Sequence, residues 1–271
     1  LDAGADYIIY QIDTYGGLVK SADDIASYFI FEVSKKADTV AFVTTKARSA
    51  GAMISVSCED IIMRDFATIG DSAPIMMGGE LKGVEREKQE SYIREIFDRA
   101  SEANNYPTAL LNAMVSIHIS VYRVKNLETG EYKFFEGDQL PETSEIYDLD
   151  NKELIIGDDK ILTLTASEAL EYGIARAIAE DMEECKDFLA RLDGVDFTGQ
   201  TIVLETSWSE EMVRWLNSPA VMGILVMVAL LGVYIELSTP GLGLPGLVAV
   251  ICFVIIVGSK YLVDMANWVE V

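Results

Sequence analysis

Two short segments of this chain combine residue types that can do acyl-transfer chemistry. Tyr7–Gly17 (YIIYQIDTYGG) carries β-branched and aromatic residues into a double glycine. A second apolar stretch, Val40–Thr44, leads to Arg48-Ser49-Ala50-Gly51-Ala52, which reads as the start of a helix. A Gly-Gly turn lets bare backbone N–H groups approach a ligand, because no Cβ stands in the way. A serine at a helix start sits where unpaired N–H groups and the positive end of the helix dipole favour a developing anion. A nucleophile beside an oxyanion hole is the chemistry such a pair supports. The bland alternative for Ser49 is a helix N-cap. Its small neighbours Ala50, Gly51 and Ala52 favour close approach of a substrate carbonyl instead, and Ser55 and Ser57 lie deeper, where hydroxyls bond backbone carbonyls.

A serine nucleophile needs a base. The chain has one histidine, His118, far from Ser49 in the alternating stretch Ser116–Val121, where an ordinary strand role is expected. Lysine can serve in its place when burial strips water from its ammonium and lowers its reference pKa of about 10.4. Asp13, just before the Gly-Gly turn, is read as a structural turn residue.

The order and spacing of IDTYGG (Ile12–Gly17), ARSAGAMIS (Ala47–Ser55), ATIGDSAPI (Ala67–Ile75), LTASEALEYGIA (Leu164–Ala175) and ELSTPGLGLPG (Glu236–Gly246) resemble the NfeD-type membrane-bound serine proteases of the ClpP/crotonase superfamily. The resemblance covers nearly the whole chain. It departs at Tyr15, where the family usually has proline. ClpP itself carries a histidine after its serine, where this chain reads Asp71-Ser72-Ala73-Pro74. The NfeD resemblance implies a Ser-Lys dyad instead, with the lysine roughly 40 residues past the serine on a long helix. Lys88 fits that interval, in line with Tyr92 and Ile96 on the edge of the apolar face. Glu85, Glu87 and Glu90 neighbour it in sequence but point elsewhere on a helix, and Lys82 is the next candidate.

The resemblance further implies catalytic residues Ser49 and Lys88. Gly16 or Gly17 with Ala50 would form the oxyanion hole, and Leu18, Ile69 and Gly70 would contact a substrate paired as an added strand. No cofactor and no metal are implied. The expected partners are the membrane bilayer, a stomatin-like membrane protein as substrate or partner, and further copies of the chain in at least a dimer. The resemblance also places the protease domain outside the cytoplasm, as part of an integral cell-membrane protein. Two other classes compete. A catalytically silent scaffold for stomatin-like proteins need keep neither Ser49 nor a placed lysine. A crotonase-like acyl-CoA enzyme needs neither a serine there nor membrane segments.

Positioning these residues calls for an α/β domain. Ala5–Ile12, Thr39–Thr44 and Ile61–Met63 read as strands; Ser21–Lys35, Ala50–Cys58 and Arg86–Asn104 read as helices. That alternation predicts a mostly parallel sheet covered by helices, the ClpP/crotonase-like class. Ile117–Glu136 alternates and turns at Thr129-Gly130, a hairpin signal. Leu162–Thr165 and helix Ala166–Tyr172 follow, then an acidic helix over Glu180–Leu192 and a last strand over Thr201–Glu205. The protease domain is expected to span 1–205 and a membrane region 206–271, with spans near 219–237 and 244–263. Trp208, Trp215, Tyr261 and Trp268 flank these spans as interfacial aromatics do. The loop Gly78–Gly83 (GGELKG) is expected to order on substrate binding.

A net charge of −23 and a pI near 4.3 exclude nucleic acid, which needs a basic footprint, and electrostatic docking on anionic lipid. Cys58, Cys185 and Cys252 show no metal-ligand spacing and no paired disulfide pattern. Leu1 opens the chain without a basic n-region or signal h-region, so a fragment with an upstream export signal is expected. Family members often continue past the last span with further spans and a small β-barrel.

Overall fold

The computed structural model describes residues 4–75, 81–195, 197, 201–204, 208–239 and 243–269, with 262–269 by backbone alone. In chain order the elements are β1 (Tyr7–Thr14), α1 (Val19–Tyr28, prolonged by a π-helical turn Phe29–Val33), β2 (Asp38–Arg48), α2 (Ala50–Val56), β3 (Asp60–Met63) and β4 (Thr68–Gly70). Then come α3 (Gly83–Asn104), α4 (Thr108–Ala113), β5 (Val121–Lys125), β6 (Tyr132–Glu136), β7 (Glu153–Ile156), β8 (Thr163–Thr165), α5 (Ala166–Glu171), β9 (Ala177–Ile178) and α6 (Met182–Asp193). The chain closes with α7 (Trp208–Leu216), α8 (Pro219–Ser238) and α9 (Leu244–Val269). Its contacts divide it into Leu1–Thr198 and Gly199–Val271. The expected boundary after residue 205 falls outside the described residues.

β2 is the axis of the first unit. β1 runs parallel along one flank; β3 and then β4 pair with the other, also in parallel. The order is β8-β4-β2-β3-β9, with β1 added at β2, and only the β4–β8 pairing is antiparallel. Val40–Val43 are buried because helices cover both faces, as a parallel sheet requires. A second, antiparallel sheet has the order β6-β5-β7. The expected α/β architecture with a mostly parallel sheet is therefore present.

Local sequence explains the element ends. Asn105 closes α3 in the left-handed region at φ 61°, and Thr165 with Glu168 forms a reciprocal capping box that opens α5. The hairpin begins at Val121 instead of Ile117, because Ile117–His118 turn before the strand. Thr201–Leu204 form no strand. Helix α4 and the short strands β4, β7 and β9 lack the periodicity that would have announced them.

In the second unit α8 and α9 are long and apolar enough to cross a membrane, with mean hydropathies of 2.4 and 2.0 over Pro219–Ser238 and Leu244–Tyr261. Neither is buried like the core helix of a soluble domain. They pack closely where Gly232 meets the Pro245 carbonyl and Ala249. Glu236 caps the start of α9, accepting from the Gly243 and Gly246 N–H groups at 3.3 and 3.1 Å.

Candidate active site

Ser49 occupies the abrupt turn from β2 into α2 with φ 53° and ψ −119°. A non-glycine residue rarely adopts this conformation, and such strain persists where surrounding contacts impose it. The Ser49 N–H donates to the Gly70 carbonyl at 3.1 Å, and Ser72 Oγ donates to the Ser49 carbonyl at 3.4 Å. Ser72 is itself buried, its N–H held by the Met114 carbonyl at 2.6 Å. Although Ser49 stands at the N-cap position, its side chain makes no capping bond. The hydroxyl is thus not spent on the helix. Ser55 and Ser57, by contrast, donate to the Gly51 and Met53 carbonyls at 2.7 and 2.8 Å, the bland role expected of them.

The Gly-Gly turn lies directly against this elbow. Gly16 has φ 126°, and a Cβ placed on it would stand 2.7 Å from Ser49 Cβ and 3.2 Å from Oγ. Only glycine fits there. A Cβ on Gly51 would meet Thr14 Cγ2 at 2.4 Å, so α2 packs on β1 at glycine distance. Thr14 Oγ1 accepts the Gly16 N–H at 3.1 Å, which commits that donor. Gly17 makes no hydrogen bond through its N–H among the described residues, and its Cβ position lies 3.7 Å from Ala50 Cβ. Ala50, as the first helical residue, has no intrahelical acceptor for its own N–H.

Sequence reading missed what steadies this turn in the absence of proline. The β1–β2 register slips between Ile12↔Val43 and Thr14↔Ala47, a bulge that re-aims the residues between. It brings Lys46 Nζ to 3.2 Å from Asp13 Oδ1 and 4.3 Å from the centroid of the exposed Tyr15 ring. An ion pair and a cation–π contact thereby hold the residues on either side of Thr14. Asp13 keeps the structural role expected of it.

The remaining predicted residues fall elsewhere. Lys88 is exposed on the second turn of α3 and makes no hydrogen bond or ion pair among the described residues. The structure does not join it to Ser49. The buried face of α3 instead carries Glu90, Ile93, Ile96, Phe97 and Ala100. Glu90 is 2% exposed and receives Arg86 Nε at 2.6 Å and Ser116 Oγ at 2.7 Å, with Arg94 Nη1 3.7 Å away. Arg94 also donates to Ser116 Oγ and to Glu87 Oε1, each at 2.6 Å. The spacing Arg86–Glu90–Arg94, a carboxylate with arginines at i−4 and i+4, was the available signal. His118 is exposed on the rim of the cavity of about 380 Å³ beside this cluster.

Two expectations about substrate contacts need correction. Ile69 and Gly70 cannot pair with an added strand, because β4 is already bonded to β2 on one side and β8 on the other. Ile69 is fully buried. Leu18, 77% exposed and next to Gly17, remains on the surface. Lys82 is exposed just ahead of α3, and the first part of Gly78–Gly83 lies outside the described residues.

Comparison with known proteins adds the following. The family described as "NfeD1b, N-terminal domain" matches residues 1–140, and "NfeD integral membrane domain" matches 220–271. The curated protein "Membrane protein NfeD1b" of Bacillus subtilis (strain 168) is 29% identical over 254 residues, which is 94% of this chain and 49% of that protein. The chain thus spans about half the length of the curated relative it matches. Among solved structures, the 1510-N membrane-bound stomatin-specific protease is similar. Its lysine-to-alanine mutant, in complex with a substrate peptide, is 16% identical with a TM-score of 0.49 over 79% of this chain and 84% of that one. Its serine-to-alanine mutant is 17% identical with a TM-score of 0.47 over 76% and 81%.

Proposed function

This chain belongs to the NfeD family and is a membrane protein, and on that premise we propose that it is a membrane-anchored serine endopeptidase of ClpP-like fold. The single observation that carries the reading is Ser49: strained at φ 53°, half-buried, braced through its backbone and free of any capping bond. A turn of this kind exposes a hydroxyl at the head of a helix, as nucleophile elbows do.

Ser49 Oγ attacks the carbonyl carbon of a peptide bond while its proton passes to Lys88 Nζ. The oxyanion is received by the N–H groups of Gly17 and Ala50, whose positions adjoin, while Gly16 supplies the close approach. Lys88 then protonates the leaving amine, and water releases the acyl-enzyme. For this, Lys88 has to leave solvent and reach the elbow as substrate closes over the start of α3. Leu18 contacts the substrate on the exposed side of the turn. An apolar segment of a stomatin-like protein as substrate, a placement of the 1–205 domain outside the cytoplasm and assembly of at least two copies belong to the same proposal. They rest on the family resemblance.

The exposure of Lys88 favours a second reading, a silent membrane scaffold that keeps the elbow without its base. One experiment separates the two. Detergent-solubilised parent, Ser49→Ala, Lys88→Ala and Lys82→Ala are compared on an apolar stomatin-like peptide from about pH 6 to 10, the range over which a lysine base is expected to act. Loss of cleavage in Ser49→Ala and Lys88→Ala, with Lys82→Ala active, is the expected result. Cleavage that survives Ser49→Ala, or a parent that cuts nothing, removes the protease reading for this substrate.

A further inference from the structure

Helix α7 lies outside both matched family regions and does nothing in the reaction described above. We propose that it is an interfacial anchor, lying along the bilayer surface with Trp208, Met212 and Trp215 inserted at the boundary of headgroups and acyl chains. The three side chains recur at i, i+4 and i+7 and so share one face. They are 76%, 43% and 62% exposed, and α7 buries no residue at all within the protein. Glu210 and Arg214 fall on the opposite arc, while Glu211, three positions after Trp208 and four before Trp215, borders the apolar face at its edge.

What covers this face follows from where α7 is tied. It ends at Leu216, Asn217 turns, Ser218 is extended at φ −63° and ψ 142°, and Pro219 opens α8 as its first helical residue. The first residue of an apolar span thus follows α7 almost at once. Asn217 Nδ2 donates to the Val213 carbonyl at 2.9 Å and to the Ser259 carbonyl at 3.3 Å. The second bond ties the end of α7 to the end of the apolar run in α9, where Lys260 and the exposed Tyr261 follow. The hairpin therefore enters and leaves the hydrocarbon at the level of α7, and indole rings at that level prefer the interface. The helix carries two acids and one arginine, so apolar insertion holds it rather than attraction to anionic lipid.

The test uses the full chain in phosphatidylcholine nanodiscs, with Trp268→Phe combined with Trp208→Phe or Trp215→Phe so that one tryptophan of α7 remains. Brominated lipid is expected to cause loss of its emission, more with bromine near the glycerol end than near the chain terminus, while aqueous iodide has little effect. Adding Met212→Glu is expected to abolish the lipid quenching without removing the hairpin from the bilayer. Three outcomes overturn the proposal. These are iodide quenching without lipid quenching, shielding from both quenchers because protein covers the face, and lipid quenching that appears only with anionic lipid.

Discussion

The Ser49 elbow and the outer face of α3 represent two ways of holding a functional side chain. At the elbow nearly every constraint is backbone: the Ser49 N–H on the Gly70 carbonyl, the Gly16 N–H on Thr14, and glycines at 16 and 51 where a Cβ would collide. On α3 the constraints are side-chain charges, and they hold Glu90 inward while Lys88 is left to solvent. A nucleophile and its oxyanion donors fixed by backbone cost no reorganisation during reaction. If Lys88 is the base, as proposed, it has to be recruited from an exposed helical face. On the proposed mechanism, the difference would make substrate closure, not the serine, the step that switches the site on.

The strongest way to break the comparison is to loosen the rigid half. Gly16→Ala adds a Cβ 2.7 Å from that of Ser49, at a φ that an L-residue resists. Displacement of the turn by even 1 Å is expected to slow acylation of Ser49 by at least about 100-fold. The check is the rate of labelling by a fluorophosphonate probe. A variant that labels at the parent rate would mean that the elbow does not depend on this contact.

The next largest effect sharpens the contrast on α3 itself. Glu90→Gln leaves Arg86 and Arg94 facing a neutral amide at a buried position and is expected to cost about 1–3 kcal/mol in urea unfolding. Lys88→Ala removes an exposed side chain that makes no hydrogen bond or ion pair among the described residues, and is expected to stay within about 0.5 kcal/mol of the parent. It should nevertheless abolish cleavage. Equal stability losses in the two variants would show that Lys88 already packs into the protein.

What the chain reveals before folding divides along the same line. Ser49, the Gly-Gly turn and the uncharged run Pro219–Ile235 are legible because residue type alone restricts what they can do. The positive φ of Ser49 is not legible, since the residues that brace it, Gly70 and Ser72, lie more than twenty positions away. The closed edge at Ile69–Gly70 depends on Leu164 and Thr163, nearly a hundred positions further on. The facing of α3 misleads for a different reason. Its apolar stripe is weak, and the Arg86–Glu90–Arg94 ladder lets a carboxylate take a place that periodicity would give to a hydrophobe. Lys88 in line with Tyr92 and Ile96 is a correct account of spacing and an incorrect account of burial.

The smallest effect concerns how α3 is docked, and pH reads it. Burial alone would raise the Asp23 carboxyl, but hydrogen bonds from Tyr92 Oη at 2.6 Å and from Arg99 outweigh it and hold it below the ordinary aspartate range. A carboxyl lowered in the native state contributes stability above its unfolded value and loses it as pH falls through the lowered one. Tyr92 behaves in reverse. Its hydroxyl is pushed up to about 12 by the bond it donates to Asp23 and then by burial, so its share persists below the unfolded value near 10 and fades as pH rises through about 12. Asp23→Asn should therefore flatten the acid limb of stability by under about 1 kcal/mol, as expected for a pair near the surface. Denaturation midpoints of parent and variant from about pH 5 downward provide the measurement. Parallel curves would mean that Asp23 does not dock α3, and recruitment of Lys88 would then need no movement against that contact.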